Sequence, residues 1–454
     1  MINEHFSTVV KSLKQVLRTE ENSTEKELVL IKKCLLNEAS YRLLEKHKYD
    51  RLVGFKLWRH AVKKIFLSKE EYKIIPVTAS SRSAIYAGSY KFYDLLLNYT
   101  NKQTVEQPKL FIAKDFLIYG LNFLQRLQLI IQLTVFSIPI IFKCINRSNR
   151  ALWALLIFEV IENACLLDIL IKNNIEKVYD FIPYEVDSNF MYWILKKQGI
   201  QVTKLPSPVP LFLHNNKLLA DTLVLTSQYQ FDELEAFRNK SIFIKNVEKW
   251  IPEFAFEYID YYKNNNFSDN ESRKYVIGYY SHGSWIRGKS GHAKISINID
   301  EDELEILKYL KIFLNKYPQY RLIIYPHPKE KNPEIINKTK AFYKDQLGET
   351  NYSIHTEPGR TLLTFNQIDI AVCAFSAIIY DRLFAGFKTL IGLPCTHLFP
   401  MSGSNLNTIC FKNYEQLEEK ILQNTDIKKE QFFIQNNLGG YRYTDYPYFS
   451  DRRS

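Results

Sequence analysis

His327 and Ser376 are the residues of this 454-residue chain best placed to do chemistry. Each ends an apolar run of strand type. Leu322-Ile323-Ile324-Tyr325 leads into Pro326-His327-Pro328-Lys329, and Ile370-Ala371-Val372-Cys373-Ala374-Phe375 leads into Ser376-Ala377. Open parallel sheets bind ligands at the carboxyl ends of their strands, so the pattern brings an imidazole and a hydroxyl to that edge. Two prolines fix the backbone around His327 before any ligand arrives. An imidazole so held can donate to a phosphate oxygen and stabilise the charge on a departing group. Lys329 adds a positive charge, or is simply solvated. Ser376 stands where a helix begins, and serine is a common N-cap; the same hydroxyl beside exposed N–H groups also suits an anion. The two uses are compatible.

Other residues join them by position. Tyr280-Ser281-His282-Gly283-Ser284 follows another strand, and a small polar loop with a glycine lets backbone approach phosphate. Arg287, Lys289 and His292 make the following stretch basic. Glu357, just past Tyr352–His355, suits ribose hydroxyls, or is a plain turn acid. Asp381 reads as a helix residue that caps or pairs with Arg382. Earlier in the chain, Asp180-Phe181-Ile182-Pro183-Tyr184-Glu185-Val186-Asp187 gathers carboxylates at a strand end. One of them could take a proton from an attacking hydroxyl. Asp187 and Glu185 compete for that role, and Asp187 is also a natural N-cap.

These residues need a scaffold of alternating strands and helices. Residues 1–70 carry apolar positions at 3–4 spacing and read as an N-terminal helical, basic segment packed on the first domain. Residues 71–245 read as a Rossmann-like domain with strands at Lys73–Val77, Lys109–Ala113, Lys177–Ile182, Gln201–Lys204 and Thr222–Thr226. A linker, 246–274, leads to a second Rossmann-like domain, 275–430, with strands at Tyr275–Tyr280, Arg321–Tyr325, Tyr352–His355, Asp369–Ala374, Thr389–Gly392 and Thr408–Phe411. A tail, 431–454, ends the chain. Alternation of this kind implies parallel sheets; the fold class is α/β, two facing Rossmann-like domains with a cleft between them.

Composition sets limits. The net charge of +11 calls for an anionic partner: nucleic acid, a phospholipid surface or a phosphorylated substrate. The stretch Arg42–Lys64 is strongly basic and interleaved with Tyr49, Phe55 and Trp58, which suits an anionic membrane. Nucleic acid is not expected, because no DNA- or RNA-binding signature accompanies it. The six cysteines form no CxxC pair, so neither a zinc site nor a disulfide framework is expected. Asp300-Glu301-Asp302 reads as the acidic first turn of a helix rather than a metal site, so neither metal nor cofactor is expected. The N-terminus lacks a basic region followed by an apolar core, so no secretory signal is expected. The uncharged run 127–142 is about sixteen residues, short of the roughly twenty that span a bilayer. It reads as a buried helix or an interfacial segment.

The stretches "YPHPKEK" (Tyr325–Lys331) and "CAFSAIIYDRLFAGFKTLIGLP" (Cys373–Pro394) resemble bacterial GT-B glycosyltransferases of surface-polysaccharide assembly. They are similar to the HP and serine motifs of the sialyltransferase and polysialyltransferase groups, and more distantly to CDP-glycerol-dependent teichoic-acid polymerases. The resemblance implies that the two motifs, with His327, Pro328, Lys329, Ser376 and Ala377, bind a donor nucleotide's phosphate; Ser281, His282, Gly283 and Glu357, read above from their strand-end positions, complete the expected nucleotide site. It implies a donor domain at 275–430, an acceptor domain at 71–245, and an acid of the latter, Asp187 or Glu185, as the base. That family's base motif is two acids followed by glycine, and Glu185-Val186-Asp187-Ser188 departs from it. The implied activity is metal-independent, inverting transfer of a sialic-acid-like nonulosonic acid from a CMP donor to an oligosaccharide or lipid-linked glycan. A CDP-polyol phosphotransferase, a UDP- or GDP-sugar transferase and a non-catalytic nucleotide-binding scaffold are the alternatives. The expected location is cytoplasmic, peripheral on the inner face of the cytoplasmic membrane.

Overall fold

The computed structural model describes residues 2–37, 52–67, 75–77, 80–88, 92–104, 107–113, 121–146, 150–181, 187–205, 218–226, 230–231, 234, 242–251, 261, 275–287, 299–357, 361–374, 376–396 and 404–442. The chain divides into two compact units, the first made of 1–207, 214–226 and 235–250 and the second of 208–213, 227–234 and 251–454. Both are α/β and Rossmann-like.

The first unit carries β1 (Ile75–Pro76), β2 (Ser83–Ala87), β3 (Leu110–Ala113), β4 (Lys177–Phe181), β5 (Gln201–Lys204), β6 (Leu218–Leu225) and β7 (Ile242–Lys249). They form one sheet in the order β1-β3-β2-β4-β5-β6-β7, parallel except for the antiparallel edge strand β1. Its helices are α1 (Ile2–Arg18), α2 (Lys26–Asn37), α3 (Val53–Leu67), α4 (Tyr93–Gln103), α5 (Phe123–Asn146), α6 (Arg150–Lys172) and α7 (Asp187–Lys197). In α1, Ile2, Phe6, Val9, Leu13 and Val16 recur every three or four residues, and all are buried. Each such side chain contributes about 1.5–3 kcal/mol of transfer free energy against the entropy of ordering it. α6 is apolar on most of its circumference, and Ile157, Val160, Ile161, Ala164, Leu167 and Leu170 are buried in the core that α1 shares.

The second unit carries β8 (Val276–Tyr280), β9 (Arg321–Tyr325), β10 (Tyr352–Ile354), β11 (Ile370–Cys373), β12 (Thr389–Gly392) and β13 (Cys410–Phe411). All are parallel, in the order β10-β9-β8-β11-β12-β13. The strand order reverses direction between β8 and β11, which is where a doubly wound sheet opens its ligand crevice. Its helices are α8 (Ser284–Arg287), α9 (Ile299–Lys316), α10 (Ile336–Leu347), α11 (Ala377–Phe384), α12 (Tyr414–Thr425) and α13 (Lys429–Gln435).

Several expectations need correction. Ser83–Ala87 is a central strand, buried at every position, and is missing from the strands expected of the first domain. Ser81 and Ser83 satisfy one another, Oγ to Oγ at 2.9 Å, with Ser83 N–H donating to Ser81 Oγ at 3.0 Å. The linker proposed at 246–274 begins too early, because β7 runs to Lys249 and pairs with β6 along its length. The tail at 431–454 also begins too early: Phe432, Phe433, Leu438 and Tyr441 are buried in the second unit's core. Thr361–Gln367 is a 3-10 helix. The run 127–142 belongs to a 24-residue helix, α5, whose outer face is exposed, so it is not a buried helix. Residues 42–51 of the basic stretch, Lys289 and His292 lie outside the described residues.

Candidate functional site

The second unit's sheet sets its candidate residues in one row along the carboxyl edge. Glu357 follows β10, His327 follows β9, Ser281–Gly283 follow β8, and Ser376 follows β11. With strands about 4.8 Å apart, the row from β10 to β11 spans roughly 14 Å.

His327 sits in a turn held from beneath. Its backbone N–H donates to Glu330 Oε2 at 2.6 Å, and the Glu330 N–H returns to the His327 carbonyl at 2.8 Å. The Lys329 N–H donates to His327 Nδ1 at 3.2 Å. Nδ1 is therefore an acceptor, and the neutral imidazole carries its proton on Nε2. Glu330 is fully buried; its other oxygen accepts from Tyr343 Oη at 3.0 Å and from Trp285 Nε1. Pro328 and Lys329 are exposed at the turn's outer side.

The loop after β8 closes over this turn. Gly283 has φ +69°, and a Cβ there would stand 2.9 Å from His327 Cβ, inside any real contact. Only glycine meets both conditions. His282 places its ring 6.3 Å from that of His327. Ser281 Oγ accepts from Gly283 N–H at 2.9 Å and donates to Glu303 Oε1 at 3.3 Å, so this hydroxyl shapes the loop. Glu303, buried on α9, accepts the N–H groups of His282 and Ser284 (2.5 and 3.0 Å), the Tyr279 hydroxyl (3.0 Å) and the Ser284 hydroxyl. Burial pushes its carboxyl above the usual range, although these hydrogen bonds oppose the shift. Beside it on α9, Asp302 accepts Cys395 N–H at 2.7 Å and Thr396 N–H at 3.2 Å after β12. The acidic first turn thus pins two loops of the edge. A pocket of about 260 Å³, lined in part by Ser281, Ser284, Trp285, Glu303 and Phe342, adjoins the β8 loop. There Trp285 stacks on Phe342, 4.8 Å between centroids.

Ser376 has extended backbone (φ −156°, ψ 153°) as the N-cap of α11, and its side chain makes no capping bond. The expected capping use of its hydroxyl is thus not taken up. Ala377 is the first residue of α11. Arg382 on the same helix does not serve as a surface partner for Asp381. It is fully buried, donating to Tyr280 Oη (3.1 Å), Thr389 Oγ1 (3.2 Å) and the Lys388 carbonyl (3.2 Å), with its guanidinium over Phe365 at 4.8 Å. Cys373 ends β11 fully buried, and burial pushes its thiol up to about 12, which makes it inert as a nucleophile.

Glu357 is open to solvent. Its carboxylate lies 3.7 Å from His355 Nε2, and its carbonyl accepts from Lys331 Nζ at 3.2 Å. Burial, then Lys331, holds the His355 imidazole below its usual value.

In the first unit, Asp187 is the first residue of α7, just beyond β4. That sheet reverses between β2 and β4, so Asp187 follows its switch point. Glu185 lies outside the described residues. Sequence reasoning missed Glu303 and Glu330. The signal available was "YPHPKEK" itself, with Glu330 three residues after the histidine, and an acid-rich helix start whose acids exceed what a dipole needs.

No protein-family model matches the chain, and no curated protein does. Among solved structures, UDP-GlcNAc 2-epimerase from Neisseria meningitidis, bound to UDP-GlcNAc, matches with TM-score 0.43 and 13% identity, over 76% of this chain and 91% of that one. Sucrose-phosphate synthase from Thermosynechococcus elongatus matches with TM-score 0.41 and 9% identity, over 80% and 96%. MurG of Acinetobacter baumannii matches with TM-score 0.34 and 12% identity, over 64% and 75%. The Rossmann-like assignment itself rests on strand order and register within each unit.

Proposed function

We propose that the chain is a nucleotide-sugar-dependent glycosyltransferase of GT-B type whose donor nucleotide lies along the carboxyl edge of the second unit's sheet. One observation carries this reading. At the ends of the neighbouring strands β9, β8 and β11 stand an imidazole whose Nδ1 accepts an N–H and so leaves Nε2–H to donate, a glycine with φ +69° packed on that histidine, and a helix-start hydroxyl not spent on capping. That set suits a phosphate group. Phosphate would lie across His327, Gly283 and Ser376, with Lys329 adding charge and Glu357 available to ribose.

In this reading the transfer inverts the sugar's anomeric centre without a metal. Asp187 or Glu185 removes the acceptor's proton, while His327 donates to the departing phosphate and offsets its charge. The favoured donor is a CMP-activated nonulosonic acid, on the strength of the HP and serine motifs. The favoured acceptor is a cell-surface or lipid-linked glycan.

The test is a thermal-shift screen with CMP, CDP, UDP and GDP, followed by donor turnover. A nucleotide at a hundred times its Kd should stabilise the native state by about 2.7 kcal/mol. His327→Ala and Ser376→Ala should each lower turnover roughly a hundredfold or more while leaving the unfolding temperature in the absence of nucleotide nearly unchanged. Near-normal turnover in both variants would remove the site. Binding of a nucleotide with no turnover of any donor would leave a scaffold, and a response to CDP with a polyol donor would make it a phosphotransferase.

A further inference from the structure

Helix α5 carries an apolar outer face as well as an apolar inner one. Phe123, Leu124, Leu127, Ile131, Val135, Ile138 and Phe142 are all between 41% and 67% exposed. From Leu127 to Phe142 they recur every three or four residues, a continuous line of roughly 22 Å at 1.5 Å per residue. Two of its polar residues turn inward, while Gln128 stays exposed beside the line. Ser137 is fully buried with a hydroxyl that finds no partner, and Thr134 accepts from Trp58 Nε1 of α3 at 3.2 Å. A helix built to face water reverses this distribution, so the outer face of α5 is matched to an apolar medium.

α3 extends the face. Phe66 packs edge-on against Phe123 at 6.3 Å, and Arg126 of α5 donates to the Ile65 and Phe66 carbonyls at the end of α3, at 3.4 Å each. Phe55 and Phe66 are exposed on α3, and the exposed Lys56, Arg59 and Lys63 lie among them. Neither helix contains an aspartate or glutamate. An apolar stripe beside a one-signed row of cations is complementary to acyl chains beneath anionic headgroups.

We infer that α5 and α3 form a membrane-docking face that lies in the plane of an anionic phospholipid bilayer. The helix does not cross the bilayer, because Leu129, Leu133 and Ile140 on its inner side belong to the first unit's core, and spanning would strip them from it. A second copy of the chain is the poorer occupant: a two-fold contact through this face sets the α3 cations of one copy near those of the other.

Flotation with vesicles decides it, using phosphatidylglycerol–phosphatidylcholine mixtures and pure phosphatidylcholine. The wild-type protein floats with the anionic vesicles, less with the neutral ones, and less again as salt is raised. Ile131→Glu with Val135→Glu lowers partition at least tenfold, and Lys56→Glu with Arg59→Glu and Lys63→Glu removes the preference for phosphatidylglycerol. Circular dichroism and the unfolding temperature confirm folding, and Ile131→Ser with Val135→Ser gives the same loss in milder form. Wild-type protein that stays unbound at every composition overturns the inference. So does a wild-type dimer that the Ile131→Glu, Val135→Glu variant splits without any vesicle binding.

Discussion

At the residue scale, the histidine's usefulness depends on groups that never touch a ligand. The Lys329 N–H fixes the tautomer of His327, and Glu330 fixes the turn that carries it. Gly283 then packs directly on the imidazole's Cβ. Gly283→Ala would meet both a disallowed φ of +69° and a 2.9 Å contact. The strain is of order 1–3 kcal/mol, and relief requires moving either the β8 loop or His327. Denaturant unfolding should register that cost, and the nucleotide-induced thermal shift should fall with it. An alanine variant with wild-type stability and an unchanged shift would mean the contact is not rigid. The His-Pro turn and Ser376 were legible in the sequence because prolines and strand ends are local features. The roles of Glu330 and Glu303 were read less easily: Glu330 holds His327 within its own turn but also Tyr343 and Trp285, 13 and 45 residues away, and Glu303 holds partners 19–24 residues away that only folding brings near.

At the element scale, α11 is a short helix with two jobs. Its start presents Ser376 and its body inserts Arg382 into a box of Tyr280, Phe365 and Phe387. The guanidinium's fork reaches Thr389, Tyr280 and two carbonyls at once. A lysine keeps the charge but cannot make those bonds together. Arg382→Lys should therefore cost about 2–3 kcal/mol of stability, seen as a lower denaturant midpoint with an unchanged slope; a loss within ±0.5 kcal/mol would count against the box as a fastener. Strand-helix alternation exposed nearly all of the second unit's elements, since its strands are continuous apolar runs such as Leu322–Tyr325 and Ile370–Cys373. β2 escaped because a serine-rich opening imitates a loop until its neighbours bury it.

At the scale of the whole molecule, two separate cores stand on two separate sheets. The candidate phosphate groups belong to the second unit alone. If the units unfold independently, calorimetry resolves two transitions, and a bound nucleotide raises only one of them. A single transition, or an equal rise in both, would show the units folding as one. The chain's positive charge also divides by element: α3 and α5 carry cations and no carboxylate.

The sequence by itself determined the α/β class, the strand ends that carry His327 and Ser376, and the resemblance held in Tyr325–Lys331 and Cys373–Pro394. These depend on periodicity and on prolines and glycines, whose effects act over a few residues. Only the tertiary structure decided that Arg382 points inward, that Glu303 and Glu330 hold the loops, and that α5 turns its apolar face outward. Those outcomes follow from burial, and burial is set by which distant elements pack together rather than by any local run of residues.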